Sequence, residues 1–255
     1  MSADTMVPKD IPVLLTSSVV VHDTGVALKD TQERIRLTLE SIREWLKVEP
    51  GLRIVVCDGS RHDFTSAVAE QFPAAAIECL HFENPQALVR QYGRGYGEGE
   101  IVRFALENSR FIAKAGCFAK CTSKLWVENF VACASGWQDG LRFKAVFLDV
   151  FSPFKPTRLA YIDTRFYITS CKDYRQHFQD AHLRIRKDEG YGLEECFRDI
   201  FLEQGFRGSL FTLPPVICGV GGGTGVSYRN PMKRRLKERL RLWLVRSSRH
   251  FAPLF

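Results

Sequence analysis

The sequence predicts an α/β fold in which a mostly parallel central sheet is flanked by helices and followed by a basic, amphipathic C-terminal helix. Three observations support this prediction. Short segments rich in β-branched residues alternate with segments of helical periodicity in the first third of the chain, which is the order expected of strands joined by helical crossovers. No apolar run approaches the roughly 18–20 residues that a membrane-spanning helix needs. The excess positive charge lies at the C-terminal end.

The elements follow one another as strand, helix, strand, helix and strand. Residues 11–21 are predicted to form a buried strand because Ile, Val and Leu dominate them. A helix over 30–46 begins at the cap-like Asp30 and spaces its apolar residues along one face. The remaining strands are predicted at 52–60, 76–82, 116–130, 145–151 and 158–170, and the remaining helices at 63–72, 100–112 and within 177–205.

Charge is distributed unevenly along the 255 residues, of which 45% are hydrophobic, enough for an ordinary globular core. The formal net charge is +7, and residues 230–255 alone carry eight Lys or Arg against one Glu, so the rest of the chain is neutral. This predicts a main domain over 1–229 and a separate basic element over 230–255, with no nucleic-acid partner.

The cysteines and the first residues favour a cytoplasmic protein. Eight cysteines lie in apolar or strand-like stretches, and no Cys-x-x-Cys pair occurs. The N-terminal segment also lacks the cationic and apolar pattern of a secretory signal. Reduced thiols are therefore expected.

Small polar residues mark the carboxyl ends of the first two predicted strands. The first strand ends in Thr16, Ser17 and Ser18, and the second ends at Asp58. Ligands of open α/β sheets bind at the carboxyl ends of the strands. These four residues are therefore candidate ligand contacts.

Two glycine-rich segments, 91–100 and 220–227, need a separate explanation. Neither fits a phosphate-binding P-loop or a dinucleotide fingerprint. Both are explained equally well as ordinary turns or as loops whose backbone N–H groups approach a ligand or become ordered on binding. The candidate contacts in these segments are Arg94, Gly95, Gly222, Gly223 and Thr224.

Charged residues also interrupt two predicted strands. Lys120 and Lys124 flank Thr122, and two ammonium groups with hydroxyls between them suit a pyrophosphate, although a solvated strand edge explains them as well. Asp163 and Arg165 lie on the same face of a strand. Because buried charges need partners, these two either pair with each other or face a polar pocket.

Acidic residues cluster where a late helix is predicted to begin. Asp188 and Glu194 belong to this cluster. Carboxylates near a helix N-terminus are favoured by the helix dipole, which is a sufficient structural explanation. In an enzyme, one of them would be the natural general base for activating a hydroxyl.

Four sequence blocks share their order with a known family. They are the first strand with VVCDGS, the segment GYGEGEIVRFALENS leading to FAKCTSKLWVEN, YIDTRFYI with the later GYGLEECF, and PPVICGVGGGTG, which together span about residues 11–228. In this order they resemble the GT-A-type bacterial glycosyltransferases that build lipopolysaccharide and capsular polysaccharide from nucleotide sugars. The resemblance implies a GT-A-like, Rossmann-like sheet.

The resemblance also implies roles for the candidate residues. The nucleotide would lie at the ends of the first strands, with Asp58 contacting the base or the ribose. Glu194 would deprotonate the acceptor hydroxyl, and Asp188 is the reserve. No Asp-x-Asp metal motif occurs, so Lys120 and Lys124 would take the place of the metal. No essential cofactor is expected, although Glu98 and Glu100 leave Mg²⁺ or Mn²⁺ open.

The reaction implied is transfer of a sugar from a nucleotide-diphosphate donor, with a UDP-sugar favoured, to a hydroxyl of a lipid-linked or growing bacterial surface glycan, with inversion. Residues 231–246 place leucines and Trp243 opposite a basic face, as in helices that bind anionic membranes. We therefore expect a peripheral protein on the inner face of the cytoplasmic membrane. A C-terminal helix docked on its own domain, and a non-catalytic nucleotide-binding scaffold of a polysaccharide assembly complex, are the alternatives.

Overall fold

The computed structural model describes residues 10–23, 25–223, 225–228 and 230–255. The strands are β1 (Val13–Ser17), β2 (Ile54–Asp58), β3 (Ile77–His81), β4 (Cys117–Thr122), β5 (Leu125–Val127), β6 (Leu141–Leu148), β7 (Arg158–Ser170), β8 (Ile217–Val220) and β9 (Ser227–Tyr228). The α-helices are α1 (Thr31–Val48), α2 (Thr65–Gln71), α3 (Gln86–Tyr92), α4 (Arg94–Asn108), α5 (Arg110–Ala115), α6 (Phe130–Ala134), α7 (Cys171–Asp173), α8 (Leu193–Gln204) and α9 (Met232–Ser247).

The central sheet of the described residues has six strands in the order β3-β2-β1-β4-β7-β6. Strands β3, β2, β1 and β4 are parallel, and β7 pairs antiparallel with both β4 and β6. Strand β1 lies opposite β4 with Thr16 beside Thr122, so the carboxyl ends of these two strands meet. The predicted α/β fold with a mostly parallel, helix-flanked sheet is confirmed.

Helices pack on both faces of this sheet and form two apolar layers. Alternate residues of β1 point to opposite faces, so Leu14 joins one layer and Leu15 the other. Helices α4 and α8 cover the first face, and α1 covers the second with Trp45 at its centre. Two-sided burial explains why β1 and β2 are fully buried along their length.

Helix α1 forms where its sequence signals predict. The Asp30 side chain accepts a hydrogen bond of 2.6 Å from the backbone N–H of Glu33, which caps the helix. The apolar and small side chains of one face are buried against the sheet, whereas Glu33, Arg36 and Glu40 pair with one another on the solvent side.

Two segments differ from the expected elements. The glycine-rich stretch 91–100 is largely helical, since α4 begins at Arg94. Its glycines allow close packing: a Cβ at Gly99 would lie 2.3 Å from the His182 ring. The single strand expected over 116–130 is divided into β4 and β5, because β5 turns away to pair with β8 in a separate small sheet.

The C-terminal helix α9 is attached to the main domain near its end. Val245 and Phe251 are buried, with 2% and 7% of their surface exposed, and belong to the same apolar layer as α4 and α8. Along the rest of the helix an apolar strip is exposed to solvent, formed by Met232, Leu236, Leu240 and Trp243. A search of the described residues finds no helix with the length and apolar character needed to span a bilayer.

Trp45 offers a test of this packing. Its indole is fully buried, donates a hydrogen bond of 3.0 Å to the Leu125 carbonyl and contacts Phe130 edge to face. Trp45→Ala should lower the free energy of unfolding by about 3–5 kcal/mol, because it leaves a large cavity. Trp243→Ala, at a site that is 61% exposed, should change it by less than about 0.5 kcal/mol. Urea unfolding would measure both, and equal losses would contradict the described packing.

Candidate functional site

A cavity of about 620 Å³ lies at the carboxyl ends of β1 and β4. Its walls come from segments that are distant in sequence but meet at this edge of the sheet. The lining residues that belong to the predicted site are Thr16, Ser17, Ser18, Arg94, Gly95, Thr122, Lys124, Asp163, Arg165, Glu194, Gly222 and Gly223. Thr224, also predicted, lies outside the described residues. The structure therefore brings most of the predicted side chains into one cavity.

Asp58 is a correction to the predicted site. It is fully buried and is not among the residues that line the cavity. One carboxylate oxygen accepts hydrogen bonds from the backbone N–H and hydroxyl of Ser60, and the other accepts from the backbone N–H of Val19. Because these bonds use the carboxylate to hold the turns after β1 and β2, Asp58 supports the cavity wall from behind and does not line it.

Lys120 is a second correction. Its side chain is fully buried and does not line the cavity, since its ammonium lies 2.6 Å from the Glu98 carboxylate and donates a hydrogen bond of 2.8 Å to the Thr164 carbonyl. Strand β4 lies between β1 and β7, which also excludes the alternative of a solvated strand edge. Lys120 therefore joins α4 to the central sheet and is not placed to contact a diphosphate.

Lys124 and Arg34 form a buried cationic pair on the cavity wall. Lys124 is 3% exposed and Arg34 7% exposed, and neither has an ion pair within the described ranges. Arg34 donates to the backbone carbonyls of Ser18 and Leu28, at 2.8 and 2.9 Å. Burial, together with the nearby charge of Arg34, lowers the pKa of Lys124 to about 7. Burial also lowers the pKa of Arg34.

The second glycine-rich segment lies against these cations. A Cβ on Gly222 would be 2.5 Å from Cε of Lys124, and a Cβ on Gly223 would be 2.9 Å from the guanidinium carbon of Arg94. The Gly223 carbonyl accepts a hydrogen bond of 3.0 Å from the backbone N–H of Ala27. A Cβ at either position would push aside the end of a lysine or arginine side chain, so the two glycines let this segment lie directly against the cations.

Asp163 and Arg165 were expected either to pair with each other or to face a polar pocket, and they do both. Both line the cavity, and they also pair with each other, Nε of Arg165 donating at 2.8 Å to the Asp163 carboxylate. Lys144 lies 3.5 Å from the same carboxylate, and the Arg165 guanidinium stacks over Tyr228 at 5.0 Å. Burial alone would raise the pKa of Asp163, but the hydrogen bonds from Arg165 and the charge of Lys144 outweigh it and lower the pKa to about 2.

The two acids proposed as general bases lie in different environments. Glu194, in the first turn of α8, lines the cavity. Its pKa is raised, first by burial and then by the negative charges of Glu98 and Glu195. Asp188 is exposed on the turn Lys187–Glu189 and does not line the cavity. The structure therefore favours Glu194 over Asp188, because only Glu194 lines the cavity.

Several charged residues of this site were not predicted from the sequence, among them Asp23 and Arg34. Asp23 is buried and accepts hydrogen bonds from the backbone N–H of Arg94 and the ammonium of Lys187, both at 3.1 Å, so it ties the loop after β1 to α4. Arg34 was also missed, although it begins a series of polar residues at helical spacing with Thr38 and Ser41 on α1. Polar residues on a face that packs against a sheet are a signal that could have identified it.

The two acidic residues considered for a divalent metal, Glu98 and Glu100, are each engaged with another side chain. The described ranges contain no group of three or more His, Cys, Asp or Glu side chains arranged to hold one. Glu98 is held by Lys120, and Glu100 lies 2.8 Å from Nε2 of His182. The two members of the Glu-x-Glu pair therefore have separate partners instead of converging on a cation.

Comparisons with known proteins add the following. No protein-family model matches the chain, and the search of curated proteins finds no match. Several solved structures are similar in fold. An active-site mutant of LgtC is 11% identical, with 79% of this chain and 72% of that chain covered and a TM-score of 0.49.

Two further similar structures are nucleotidyltransferases. The inositol-1-phosphate CTP transferase of T. maritima is 12% identical, with coverage of 94% and 98% and a TM-score of 0.49. A putative glucose-1-phosphate thymidylyltransferase of Bacillus anthracis is 10% identical, with coverage of 90% and 95% and a TM-score of 0.46. Since the TM-scores of these three structures are below 0.5, the similarities decide neither the family nor the activity of this chain.

The Glu98–Lys120 ion pair can be tested through stability. Glu98→Gln should lower the free energy of unfolding by about 3 kcal/mol, because it leaves the buried ammonium of Lys120 without its counter-charge. Adding Lys120→Met should recover part of the loss. Glu83→Gln, which breaks an exposed pair with Arg61, should cost less than about 1 kcal/mol. Equal urea midpoints for wild type and Glu98→Gln would contradict the role given to this pair.

Proposed function

We propose that this protein is a glycosyltransferase that moves a sugar from a nucleotide-diphosphate donor to a hydroxyl of a lipid-linked or growing bacterial surface glycan. The observation that carries the proposal is one cavity that holds both a carboxylate of raised pKa, Glu194, and buried cations, Arg34 and Lys124. A base and a site for negative charge are the two groups that such a transfer needs.

Glu194 serves as the general base in this proposal. It accepts the proton of the acceptor hydroxyl while the hydroxyl oxygen attacks the anomeric carbon of the donor sugar. The bond between that carbon and the diphosphate oxygen breaks, and the nucleoside diphosphate leaves with the electron pair. Attack opposite the leaving group inverts the configuration of the anomeric carbon.

The cations of the cavity stabilise the leaving group. Lys124, Arg34 and Arg94 lie around Gly222 and Gly223, whose lack of side chains lets these cations pack closely on one side of the cavity. Positive charge fixed in a partly dehydrated site is worth more than in water, because it needs no reorganisation as the diphosphate departs. These side chains replace the divalent metal, and no cofactor is assigned to the reaction.

The exposed strip of α9 supports a role at a membrane. Met232, Leu236, Leu240 and Trp243 present apolar surface on a helix with a strong excess of basic residues. Phe151 packs beside the basic residues of α9, and the nearby Phe154 is 92% exposed. We place the protein at the inner face of the cytoplasmic membrane, where a lipid-linked acceptor would be presented.

A donor panel tests the proposed activity. The full-length protein is incubated with UDP-, GDP-, CMP- and dTDP-sugars and with lipid-linked and free saccharide acceptors, and nucleotide release is measured. Acceptor-dependent release from one donor, UDP-sugars first, is expected. Binding of nucleotide without any turnover would favour a non-catalytic scaffold. Release of pyrophosphate from a nucleoside triphosphate and a sugar phosphate would instead indicate a nucleotidyltransferase.

Glu194→Gln should lower kcat by at least about 100-fold while leaving nucleotide affinity nearly unchanged, because the amide cannot accept the acceptor proton. In the wild type, kcat should fall as the pH is lowered through the raised pKa of Glu194, since the protonated carboxyl is no base. Steady-state kinetics and a pH profile measure both effects. Asp188→Asn, at an exposed site outside the cavity, is the matched control and should keep wild-type kcat. Comparable activity in both variants would remove Glu194 as the base.

The membrane contact predicts a loss of vesicle binding when the apolar strip is made acidic. The double variant Leu236→Glu, Trp243→Glu should reduce co-sedimentation with anionic vesicles by about tenfold or more. The apolar contact of α9 with the bilayer and its electrostatic attraction to anionic lipid both weaken. Point variants are preferable to removing α9, because Val245 and Phe251 are part of the core. Leu202→Glu changes an equally exposed leucine of α8 and should bind as wild type does. Unchanged binding of the double variant would contradict the membrane role.

A further inference from the structure

We propose that the phosphate groups of the ligand enter the corner of the cavity formed by Arg34, Lys124 and Gly222, and that their binding makes Lys124 take up one proton from solvent. This inference rests on the proposed function, because that function supplies the diphosphate. It adds the place where the diphosphate binds and a linkage between its binding and pH.

Two buried lysines, four residues apart in the sequence, have different surroundings. Lys120 is neutralised by Glu98 at 2.6 Å and closed off from the cavity. Lys124 lines the cavity, and within the part of the chain that the structure describes its ammonium has one hydrogen-bond partner, the Ser123 hydroxyl at 3.3 Å. A buried ammonium without a counter-charge is unfavourable, so Lys124 gains stability either by losing its proton or by acquiring an anion.

The charged groups around Lys124 come from three elements. Arg34 on α1 disfavours a second positive charge, whereas Asp58 on β2 and Glu98 on α4 favour it. Both acids are already engaged, Asp58 by the turn hydrogen bonds and Glu98 by Lys120. Burial and Arg34 therefore outweigh them and lower the pKa of Lys124 to about 7. The amine is largely neutral in the empty cavity above that pH.

The corner of the cavity places two cationic side chains beside Gly222. A Cβ on Gly222 would be 2.5 Å from Cε and 3.4 Å from Nζ of Lys124, and 3.4 Å from a terminal nitrogen of Arg34, so this glycine packs directly against both side chains. All three residues line the cavity. A guanidinium and an amine that converge on one wall of a cavity suit the tetrahedral oxygens of a phosphate.

Binding of an anion makes the ammonium form of Lys124 more stable than the neutral amine. The negative charge favours the ammonium form and raises the pKa of Lys124 towards its ordinary value of about 10.5. Between about pH 7 and that value, each binding event takes up close to one proton. The affinity for the diphosphate then falls by up to about tenfold for each pH unit above 7.

Calorimetry with UDP as the probe measures this proton directly. At about pH 8.5 the UDP phosphates are fully ionised, since phosphate monoesters titrate near 6. Binding enthalpies in buffers of different ionisation enthalpy give the number of protons taken up. The wild type should take up about one proton per UDP. Lys114→Arg, at an exposed site on α5, is the control and should give the same number.

Two variants of Lys124 complete the test. Lys124→Arg carries a permanent charge and should bind UDP without proton uptake and with little pH dependence. Lys124→Gln should bind more weakly, also without uptake, and covers the case in which the larger arginine does not fit beside Gly222. Uptake that persists in these variants would assign the proton to another group, such as His22 on the same cavity, and overturn the inference.

The outcome also separates this inference from the proposed function. UDP binding by the wild type with no proton uptake and constant affinity would overturn the inference and leave the glycosyltransferase proposal standing. No binding of UDP, GDP or dTDP would contradict the proposed donor class. In that case the same titration with sulfate, which is fully ionised at this pH, would still decide whether an anion protonates Lys124.

Discussion

The ion pair between Glu98 and Lys120, 2.6 Å long, fixes the glycine-rich start of α4 to the central strand β4. Because β4 is hydrogen-bonded to β1 on one side and β7 on the other, this contact sets the position of α4 relative to both strands. It also neutralises one of the two buried lysines. The polar ends of the strands, the helix and the remaining lysine therefore face one cavity with a defined distribution of charge.

The fold was largely predictable because its strongest signals are local. The apolar pattern of 158–170 predicts β7 with the bounds that are observed, and Asp30 marks the start of α1. The helical start of α4 was not predictable, since glycine has a poor helix propensity and the reason for it is packing against His182. The division of the strand over 116–130 depends on pairing with β8, which lies about 90 residues away in the sequence.

Those residues of the candidate site that come together because of their position along a strand were predictable. The ends of β1 and β4 meet because parallel neighbours share an edge, so Thr16 and Thr122 come together. Position does not show which polar groups are already engaged. Asp58 and Lys120 were predicted as contacts because their residue types suit a ligand, but turn hydrogen bonds and Glu98 occupy them. A sequence records the donors and acceptors of a chain without recording how they pair.

Positive charge occurs in two different settings in this molecule, and burial distinguishes them. Arg34 and Lys124 are almost fully buried, so holding their charges costs free energy that a bound anion would recover. The basic residues of α9 lie around an exposed helix, where their charge is hydrated and costs little. Salt screens exposed charges strongly and buried ones weakly. In the proposed function the two sets therefore act independently, the buried pair on a small anion and the basic residues of α9 on an anionic surface.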